Sequence, residues 1–580
     1  MFSVFRKLSW FFKEQWVRYS IAITALIIVS FIDLIPPKLV GMTIDAIQFQ
    51  ELTASRLTEI ILIYIGLIFL SYAIMYIWDY NLFGGSLLLE RKMRSKLMTH
   101  FLKMSPRFYS KHRTGDLMAR STNDLKAIMT TAGFGIMTLV DATVFMAFLI
   151  MMMGFTIDWN LTLAALIPMP VMAFIVHKYG AVIHKRFTEA QSAFSELNNY
   201  TLESVRGVRV IRAFVQEQQD FNRFSTMTEE VFQKNKLVAK MDAYFEPTIK
   251  VLVGISYTIG LGYGAFMVFE NRITLGDLVA FNVYLGMLIW PMFAIGELIN
   301  VMQRGNASID RVDEVLQQQP DVEDPHHPLT TPYPEEIKFE NVQFTYPEAS
   351  GKQLDNINLT IRRGETIGVV GKTGAGKTTI FKQLLREYAP PKGSITVNQI
   401  PLHAFTLEES RGWIGYVPQD HVLFSKSVKE NLLFGCGNKS VEEINRILES
   451  ASLKNDIEAL PKGLDTLVGE SGVTLSGGQK QRVSLARALL MNPEILILDD
   501  SLSAVDGKTE ATIISHLKNE RRGKTTLIAA HRLSAVKHAD QIIVLEDGQI
   551  VERGTHEELM QQNGWYKEQF LIQQMEGEVE

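Results

Sequence analysis

A glycine-rich loop that ends in lysine and threonine is the stretch of this sequence with the clearest chemistry. Residues 371–378 read Gly-Lys-Thr-Gly-Ala-Gly-Lys-Thr and fit the pattern G-x-x-x-x-G-K-[ST]. Glycines at this spacing let backbone N–H groups surround the α- and β-phosphates of a nucleotide at a helix N-terminus. Lys377 then reaches the β- and γ-phosphates, and the hydroxyl of Thr378 is a ligand for Mg²⁺. We call residues 371–378 the phosphate loop.

Two elements must hold this loop, and the sequence supplies both. Residues 366–370 are an apolar run that predicts a buried strand, and residues 379–385 predict a helix. This strand–loop–helix order is the context in which such a loop binds phosphate. The predicted nucleotide contacts in and beside the loop are Gly371, Lys372, Thr373, Gly374, Ala375, Gly376, Lys377, Thr378 and Thr379.

Two later strands also end in residues with chemical potential. Residues 495–498 are apolar and lead directly into Asp499 and Asp500, so Asp499 is placed to hold Mg²⁺ through water. Residues 525–530 predict another strand, which ends at His531 and brings this histidine within reach of a γ-phosphate. The sequence therefore predicts a site for Mg²⁺ and a nucleoside triphosphate.

Three further positions complete the candidate site. Tyr346 follows a strand-like alternation from residue 337 and offers an aromatic face on which a base can stack. Gln419 lies in a turn after Tyr-Val-Pro. Residues 475–479, which we call the signature segment, read Leu-Ser-Gly-Gly-Gln and lead into a predicted helix. A glycine-rich helix start exposes N–H groups to a second anion.

Length and charge limit the remaining possibilities. A chain of 580 residues is too long for one ordinary domain, and its first half is far more apolar than its second. A net charge of −5 over this length predicts no nucleic-acid partner. Cys436 is the only cysteine, which excludes an internal disulfide and a cysteine-based metal site.

The apolar half contains six runs that approach the ~20 residues needed to cross a bilayer as a helix. The predicted helices cover about 17–42, 57–80, 130–157, 159–180, 246–270 and 276–304. Basic residues crowd the segments after the second and fourth runs, whereas the alternate loops hold only Arg56 and Arg272. The positive-inside rule therefore predicts a multi-pass membrane protein with both termini in the cytoplasm. The basic segments are poor in Gly and Pro and predict helices that continue beyond the membrane.

The sequence thus divides into three parts. The transmembrane domain is expected over 1–306 and the soluble nucleotide-binding domain over 337–575. A linker is expected over 307–336, because Pro, Asp, Glu and His dominate the sequence from residue 320 onwards.

Polar residues inside the apolar runs are candidates for a substrate site. Asp141 lies early in the third run and Glu297 late in the sixth. A carboxylate in a membrane is costly, so these two face either a water-filled cavity or the interface, and the sequence leaves both open. Trp290 and Phe293 add aromatic faces, which attract cations. If a cavity forms, the expected substrates are amphipathic, often cationic, aromatic compounds.

These motifs together resemble the ATP-binding cassette (ABC) transporter family. The matches are Tyr346 to its adenine-stacking residue, 371–378 to Walker A, Gln419 to the Q-loop, 475–479 to the LSGGQ signature, Asp499 to Walker B, 503–506 to the D-loop and His531 to the switch histidine. The whole chain resembles a half-size exporter, and most of all one subunit of the heterodimeric multidrug exporters of Gram-positive bacteria. The resemblance implies a membrane all-α six-helix domain of the type IV (formerly type I) exporter fold, followed by an α/β P-loop nucleotide-binding domain.

The resemblance also implies a mechanism. In such exporters two cassettes close head to tail on two ATP molecules, each held between the Walker motifs of one chain and the signature of the other. The implied cofactors are ATP and Mg²⁺. The implied Mg²⁺ contacts are Thr378, Gln419 and Asp499, and the implied contacts to the ATP of a partner are Ser476, Gly478 and Gln479. Short coupling helices are expected near 106–116 and 212–224.

What is implied for the whole protein is ATP hydrolysis coupled to export across the bacterial plasma membrane. Its partners would be a second ABC half-transporter, the lipid membrane and an amphipathic small-molecule substrate. A lipid flippase of the same architecture stays open as an alternative. A soluble cassette ATPase is disfavoured by the six apolar runs.

One position departs from the family pattern. The residue after the Walker B aspartate is usually a glutamate, the general base, whereas this chain has Asp500, which is one methylene shorter. We therefore expect a degenerate site in which Asp500, His531 and Gln419 occupy the catalytic positions but turn ATP over slowly. The intact signature segment would then complete a competent site on a different partner. A homodimer in which Asp500 works adequately is the alternative.

Overall fold

The structure is a computed structural model that describes residues 3–347, 349, 351–469 and 472–577. The chain divides into two compact units. One unit comprises Met1–Phe101 with Thr114–Gln318, and the other comprises Leu102–Arg113 with Gln319–Glu580. The described part of the first unit is helical, and all described strands lie in the second.

The helices of the first unit follow one another with short breaks. They are α1 (Ser3–Lys7), α2 (Ser9–Glu14), α3 (Trp16–Ile32), α4 (Ile35–Gln48), α5 (Ala54–Lys103, whose end belongs to the second unit), α7 (Thr114–Ala119), α8 (Leu125–Ala132), α9 (Phe134–Val140), α10 (Met146–Thr156), α11 (Trp159–Leu166), α12 (Pro168–Arg206), α13 (Val208–Ala213), α14 (Glu217–Phe269), α15 (Leu275–Met287) and α16 (Ile289–Leu316). Helix α6 (Pro106–Lys111) belongs to the second unit. Two π-helical turns, Arg120–Asp124 and Asp141–Phe145, lie between α7 and α10.

Five helical segments among the described residues are long and apolar enough to cross a membrane. They are Trp16–Gln48, Ala54–Lys103, Thr114–Thr156, Glu217–Phe269 and Leu275–Leu316. The region expected at about 159–180 holds a shorter apolar segment, Trp159–Met172, within a helical stretch that reaches Arg206. The expected number of six crossings therefore stays a prediction. The 53 residues of α14 correspond to about 80 Å of helix, far more than a bilayer core of about 30 Å requires.

Prolines account for two breaks in the membrane helices. Helices α3 and α4 are separated at Asp33 and Leu34, just ahead of Pro36. Helices α15 and α16 are separated at Leu288, three residues before Pro291. A proline cannot donate to the carbonyl four residues earlier, and its ring clashes with that carbonyl. The last membrane region is therefore two helices rather than one.

Helices α4 and α15 pack with their backbones in close contact. A Cβ atom built on Gly276 would lie 2.0 Å from the carbonyl oxygen of Gly41, so only glycine fits there. The carboxylate of Asp45 accepts hydrogen bonds from the Thr274 hydroxyl and the Gly276 N–H, both at 2.7 Å. These bonds fix the start of α15 against the end of α4.

Helix α16 continues beyond the boundary that the sequence suggests. It runs to Leu316, ten residues into the expected linker over 307–336. The apolar side chains Ile309, Val312 and Val315 are buried along this extension. Spacings of three residues keep such side chains on one face of a helix, and burial of that face stabilises the extra turns.

Short helices lie at or near the two segments where coupling helices are expected. Helix α6 lies inside the expected segment 106–116, whereas α13 begins at Val208, ahead of the expected segment 212–224. The helices on either side of α13 are joined by a hydrogen bond from the hydroxyl of Tyr200 to the carboxylate of Asp220. This bond closes the helical hairpin around α13.

The second unit combines strands and helices. Its strands are β1 (Glu336–Phe344), β2 (Leu354–Arg362), β3 (Thr366–Gly371), β4 (Lys392–Val397), β5 (Ile400–Pro401), β6 (Ile414–Val417), β7 (Ile495–Asp499), β8 (Thr525–Ala529), β9 (Gln541–Glu546) and β10 (Gln549–Gly554). Its remaining helices are α17 (Lys377–Leu384), α18 (Leu407–Gly412), α19 (Val428–Leu432), α20 (Val441–Ser450), α21 (Lys454–Glu458), α22 (Gly477–Leu490), α23 (Gly507–Glu520), α24 (His556–Gln561) and α25 (Trp565–Gly577). Short 3₁₀ turns lie at Leu402–Ala404, Gly463–Asp465 and Leu533–Val536.

These strands form two sheets with separate cores on either face of the larger one. The smaller sheet is antiparallel in the order β2-β1-β4-β5, and the larger has the order β10-β9-β3-β8-β7-β6. Ile367 and Val369 of β3 pack in the core shared with the smaller sheet, whereas Val370 packs in the helical core on the other face. Burial on both faces is typical of a parallel sheet, and β3, β6, β7, β8 and β9 are parallel.

Candidate functional site

The candidate residues of the second unit follow the carboxyl ends of neighbouring parallel strands. The phosphate loop follows β3, Gln419 follows β6, and His531 follows β8. Asp499 is the last residue of β7 and is paired in register with Ala529 of β8. Because the ends of parallel strands share one edge of the sheet, these side chains gather there.

The phosphate loop can be built only with glycine at two of its positions. Gly376 has a φ of 105°, and a Cβ atom built on it would lie 2.6 Å from the carbonyl oxygen of Gln353. Gly371 has a φ of 145°, and its Cβ would lie 2.2 Å from the carbonyl oxygen of Leu545. Both φ values lie in the region that L side chains rarely adopt. The loop leads directly into the N-terminus of α17, where unpaired N–H groups favour an anion.

Lys377 is buried and folded back over the phosphate loop. Its Nζ donates hydrogen bonds to the carbonyl oxygens of Gly371 at 2.7 Å and Lys372 at 3.1 Å. Burial lowers the pKa of Lys377, while the nearby carboxylates of Asp500 and Asp499 act in the opposite direction. Phosphate oxygens would offer this ammonium charged acceptors in place of two neutral carbonyls, and such bonds are stronger.

Asp499 is held at both carboxylate oxygens. Its Oδ1 accepts from the hydroxyl of Thr378 at 2.9 Å, and its Oδ2 accepts from the hydroxyl of Tyr416 at 3.1 Å. Burial raises the pKa of Asp499, and the two hydrogen bonds oppose this rise. One hydroxyl and one carboxylate, side by side at the phosphate loop, fit Mg²⁺, which commonly takes few protein ligands together with phosphate oxygens and waters.

Asp500 has a backbone fixed in an unusual conformation. Its φ is 50°, its N–H donates to the carbonyl oxygen of Ala529 at 2.9 Å, and its carbonyl accepts from the Ser503 hydroxyl at 3.0 Å. Asp500 and His531 both line a cavity of about 20 Å³, which is room for one water molecule. The structure therefore brings the candidate base and the switch histidine to the same small space.

Tyr346 is attached to the helix that follows the phosphate loop. Its hydroxyl is 3.0 Å from that of Thr379, and the ammonium of Lys382 lies 5.8 Å from the centre of its ring. The ring of Tyr388 meets it edge-on, with centroids 5.2 Å apart. Thr379, which was expected to contact the nucleotide, is buried, and its hydroxyl contacts Tyr346.

The signature segment caps a helix with its own polar side chains. Ser476 accepts from the backbone N–H of Gln479 at 3.3 Å, and the Gln479 side chain accepts from the Ser476 N–H at 2.9 Å. The amide nitrogen of Gln479 also donates to Asp456 at 2.9 Å. Gly478 approaches the D-loop so closely that a Cβ would lie 2.8 Å from the carbonyl oxygen of Ala504. The helix start is thus preorganised with its backbone against the D-loop.

One expected site residue is exposed, and three residues that were not expected contribute to the site. Gln419 is exposed after β6, and its expected contact to Mg²⁺ stays a prediction. No role was predicted from the sequence for three residues that hold parts of the site. Tyr416 donates to Asp499, Glu510 accepts from Arg532 beside His531, and Gln573 donates to the carbonyl oxygen of His531. For Tyr416 the sequence offered a signal, because it lies on the strand just before Gln419. For Glu510 and Gln573 the sequence offered no signal of a role in the site.

Two of the candidate substrate residues of the first unit meet at the second π-helical turn. Trp290 Nε1 donates to the carboxylate of Asp141, the first residue of that turn, at 2.9 Å. Phe293 and Glu297 lie three and seven residues after Trp290, and therefore share its face of α16. The Glu297 carboxylate is 3.5 Å from the guanidinium of Arg304. The structure joins Asp141 to Trp290 and pairs Glu297 with another residue.

This geometry defines a class of protein. A phosphate loop, a Walker B strand and a switch histidine at one edge of a parallel sheet form an ATP-binding domain, and membrane-length helices precede it. The family model described as "ABC transporter transmembrane region" matches residues 19–292, and the family model described as "ABC transporter" matches residues 354–503. The chain belongs to the ABC transporter family.

Similar proteins cover nearly the whole chain. It is 58% identical over 579 residues to the probable multidrug resistance ABC transporter ATP-binding/permease protein YheI of Bacillus subtilis, which covers 99% of this chain and 98% of that protein. It is 41% identical over 580 residues to the multidrug resistance-like ATP-binding protein MdlA of Escherichia coli, covering 100% and 98%. A bacterial Atm1-family ABC exporter solved with ATP bound shares the fold, with a TM-score of 0.77 at 24% identity over 97% of this chain and 98% of that one.

These matches confirm the family, the fold and the catalytic class expected from the sequence. The chain is a multi-pass membrane protein of the ABC exporter type, with the size of a half-transporter. It binds ATP and couples ATP hydrolysis to transport.

Proposed function

We propose that this chain is one half of a heterodimeric exporter that uses ATP to move amphipathic drugs or lipophilic compounds across the bacterial plasma membrane. The observation that supports a heterodimer is Asp500, which stands where the family usually has the longer glutamate as general base. The site otherwise has every group needed to bind ATP. The drug class is supported by YheI and MdlA, whose names describe multidrug resistance. Both termini lie in the cytoplasm, as the distribution of basic residues indicates.

ATP binding follows from the residues around the phosphate loop. The adenine stacks on Tyr346, whose ring is fixed by its contacts to Thr379 and Tyr388. The phosphates lie on the N–H groups of the loop, where Lys377 exchanges its carbonyl partners for phosphate oxygens. Thr378, Asp499 and Gln419 are the residues that would hold Mg²⁺, and the first two already lie side by side. The metal neutralises phosphate charge.

Slow hydrolysis at this site follows from the reach of Asp500. A general base must come within about 2.6–3.2 Å of the proton it takes, directly or through one water. The backbone of Asp500 is tied to Ala529, so the residue cannot advance to make up for a missing methylene. Phosphoryl transfer depends mostly on positioning, and a small displacement therefore costs a large factor in rate.

The other half of the argument is the intact signature segment. The helix start at Ser476, Gly478 and Gln479 is rigid and capped. It can therefore contact the γ-phosphate of an ATP molecule that is held by the Walker motifs of another chain. One copy has one Walker set and one signature, so it needs a second half-transporter to close a site. The partner that fits has a glutamate after its Walker B aspartate, so that the site completed by this chain's signature is the fast one.

The substrate is recognised around Asp141 and Trp290. Asp141 begins a π-helical turn inside an apolar helix, and such turns are frequent at functional sites. Trp290, Phe293 and Glu297 line one face of α16, so aromatic rings and carboxylates are available to a cationic amphiphile. Glu297 contributes less than Asp141, because Arg304 already balances its charge.

A lipid flippase is the second candidate function. The chain is 34% identical over 488 residues to the ATP-dependent lipid A-core flippase of Syntrophus aciditrophicus, which covers 84% of this chain and 81% of that protein. Reconstitution in proteoliposomes separates the two functions. Accumulation of a cationic dye without movement of a labelled lipid supports drug export, and the reverse result supports the flippase.

The heterodimer is tested in the complex purified from its native membrane through a tag on this chain. We expect a different half-transporter to co-purify in equal amount. Asp500→Asn should then change ATPase activity little, whereas changing the partner's glutamate after Walker B to glutamine should abolish most of it. Recovery of a second copy of this chain alone, or loss of turnover through Asp500→Asn alone, would contradict the proposal.

A further inference from the structure

The loop that carries the switch histidine is held from two directions. We define the switch loop as residues 531–534, which follow β8 and include the first two residues of the next 3₁₀ turn. From α23, the buried carboxylate of Glu510 accepts from the Ser534 hydroxyl at 3.0 Å and from the Arg532 guanidinium at 3.3 Å. Helix α25 also reaches this loop, through the hydrogen bonds of a side chain of its own.

That side chain is Gln573, and it pairs with the backbone on both sides of Arg532. Its Oε1 accepts from the N–H of Leu533 at 2.9 Å, and its Nε2 donates to the carbonyl oxygen of His531 at 2.9 Å. The side-chain amide thus binds the loop as a neighbouring peptide group would in a sheet. Because both bonds involve the backbone at and just after the histidine, they fix the direction in which the His531 side chain leaves the loop.

Helix α25 is firmly anchored upstream of Gln573. The carboxylate of Glu552 accepts from the backbone N–H groups of Trp565 at 2.5 Å and Tyr566 at 3.3 Å, which caps the start of the helix. Tyr566 is fully buried, and its hydroxyl is 2.8 Å from Nδ1 of His556. Phe570 packs against the same core. Residues at spacings of four and three share one helix face, so this anchored face also presents Gln573.

We propose that Gln573 is a positioning residue for His531, and that α25 thereby sets the contact between the switch histidine and the γ-phosphate of bound ATP. The inference rests on the proposed role of His531 but not on the degenerate base or on the identity of the partner. Without the Gln573 bonds, the loop keeps the bonds that Arg532 and Ser534 make to Glu510 and the bond from Arg532 to the carbonyl oxygen of Val505. The histidine is then free to turn away from the nucleotide, and ATP is released faster.

The test uses the full-length chain in its assembled transporter and measures how long ATP stays at this chain's own site. A photoreactive azido-ATP, crosslinked after a chase with unlabelled ATP, reports its release on this polypeptide. Gln573→Ala removes both bonds, and Gln573→Glu keeps the acceptor for Leu533 but loses the donor to His531. Gln574→Ala, at the exposed neighbouring residue, is the matched control. Each is made with and without His531→Ala.

We expect Gln573→Ala to speed release roughly three- to tenfold, the effect of one or two neutral hydrogen bonds. Gln573→Glu should give an intermediate rate, and Gln574→Ala should match the wild type. In the His531→Ala background Gln573→Ala should add nothing, because it acts through the histidine. An unchanged release rate for Gln573→Ala, an equal effect in both backgrounds, or an equal effect of Gln574→Ala would overturn the proposal. If His531→Ala alone leaves release unchanged, the proposed role of His531 fails with it.

Discussion

Lengthening Asp500 by one methylene should increase the rate of ATP hydrolysis at this chain's own Walker site. In Asp500→Glu the carboxylate advances by about 1.5 Å, one carbon–carbon bond. The fixed backbone at Ala529 keeps the change confined to the side chain, and the cavity shared with His531 leaves room for the attacking water. Asp tolerates the left-handed conformation of this position better than Glu does, so the substitution costs up to about 1 kcal/mol of stability.

The size of the effect follows from the sensitivity of catalysis to position. A misplacement of about 1 Å can cost about a hundredfold in rate. Restoring a base that is about one bond length too short should therefore raise hydrolysis at this site by roughly ten- to a hundredfold. ATP affinity should stay unchanged, because Tyr346, Lys377 and Thr378 are untouched.

The assay is phosphate release by the purified complex whose partner has lost its own catalytic carboxylate. All remaining turnover then belongs to this chain's Walker site, and Asp500→Asn gives the baseline. Adding His531→Ala to Asp500→Glu should remove the gain. The reasoning is refuted if Asp500→Glu binds ATP normally and yet hydrolyses it no faster than the wild-type site.

Four other experiments test separate parts of the structure. Lys377→Ala should weaken ATP binding at this site about ten- to hundredfold, since it removes charged hydrogen bonds worth about 1.5–3 kcal/mol; equal affinity in a fluorescent-nucleotide titration would contradict the role of the phosphate loop. Tyr416→Phe should raise the Mn²⁺ concentration needed for binding with ATP about three- to tenfold in paramagnetic resonance, because Asp499 loses one of its two hydrogen bonds. An unchanged Mn²⁺ titration would mean that Tyr416 does not orient Asp499. Asp141→Asn combined with Glu297→Gln should reduce transport of a cationic dye about threefold or more and leave a neutral one unaffected, whereas equal losses would argue against a cation site. Gly276→Ala should destabilise the packing of α4 on α15 by about 1–3 kcal/mol in thermal unfolding. Gly66→Ala is the control and should have no such effect, because a Cβ atom at this position meets nothing within 4 Å. Similar unfolding of the two variants would exclude the close contact between Gly276 and Gly41.

The chemistry of the ATP site could be predicted from the sequence because it is encoded locally. The glycines of the phosphate loop, Lys377 and Thr378 lie within eight consecutive residues, and Asp499 and His531 stand at the ends of recognisable apolar strands. A strand that ends at such a residue delivers it to the edge of a parallel sheet whatever the rest of the fold does. The family, the fold and the enzymatic class were accessible for the same reason.

The boundary between the membrane domain and the linker was less accessible. Composition marks where Pro, Asp and Glu become frequent, but a helix ends where its buried face ends. Ile309, Val312 and Val315 are buried, and α16 therefore continues to Leu316. Only packing reveals that those apolar residues have a surface to cover.

The contacts that position the functional side chains were decided by the tertiary structure alone. Tyr416 lies 83 residues from Asp499, Gln573 lies 42 residues from His531, and Trp290 lies 149 residues from Asp141. A local pattern records helix or strand period and the type of a side chain, but not which distant element packs against it. Each of these hydrogen bonds exists because separate elements bury their apolar faces together and thereby fix the distance between two polar atoms.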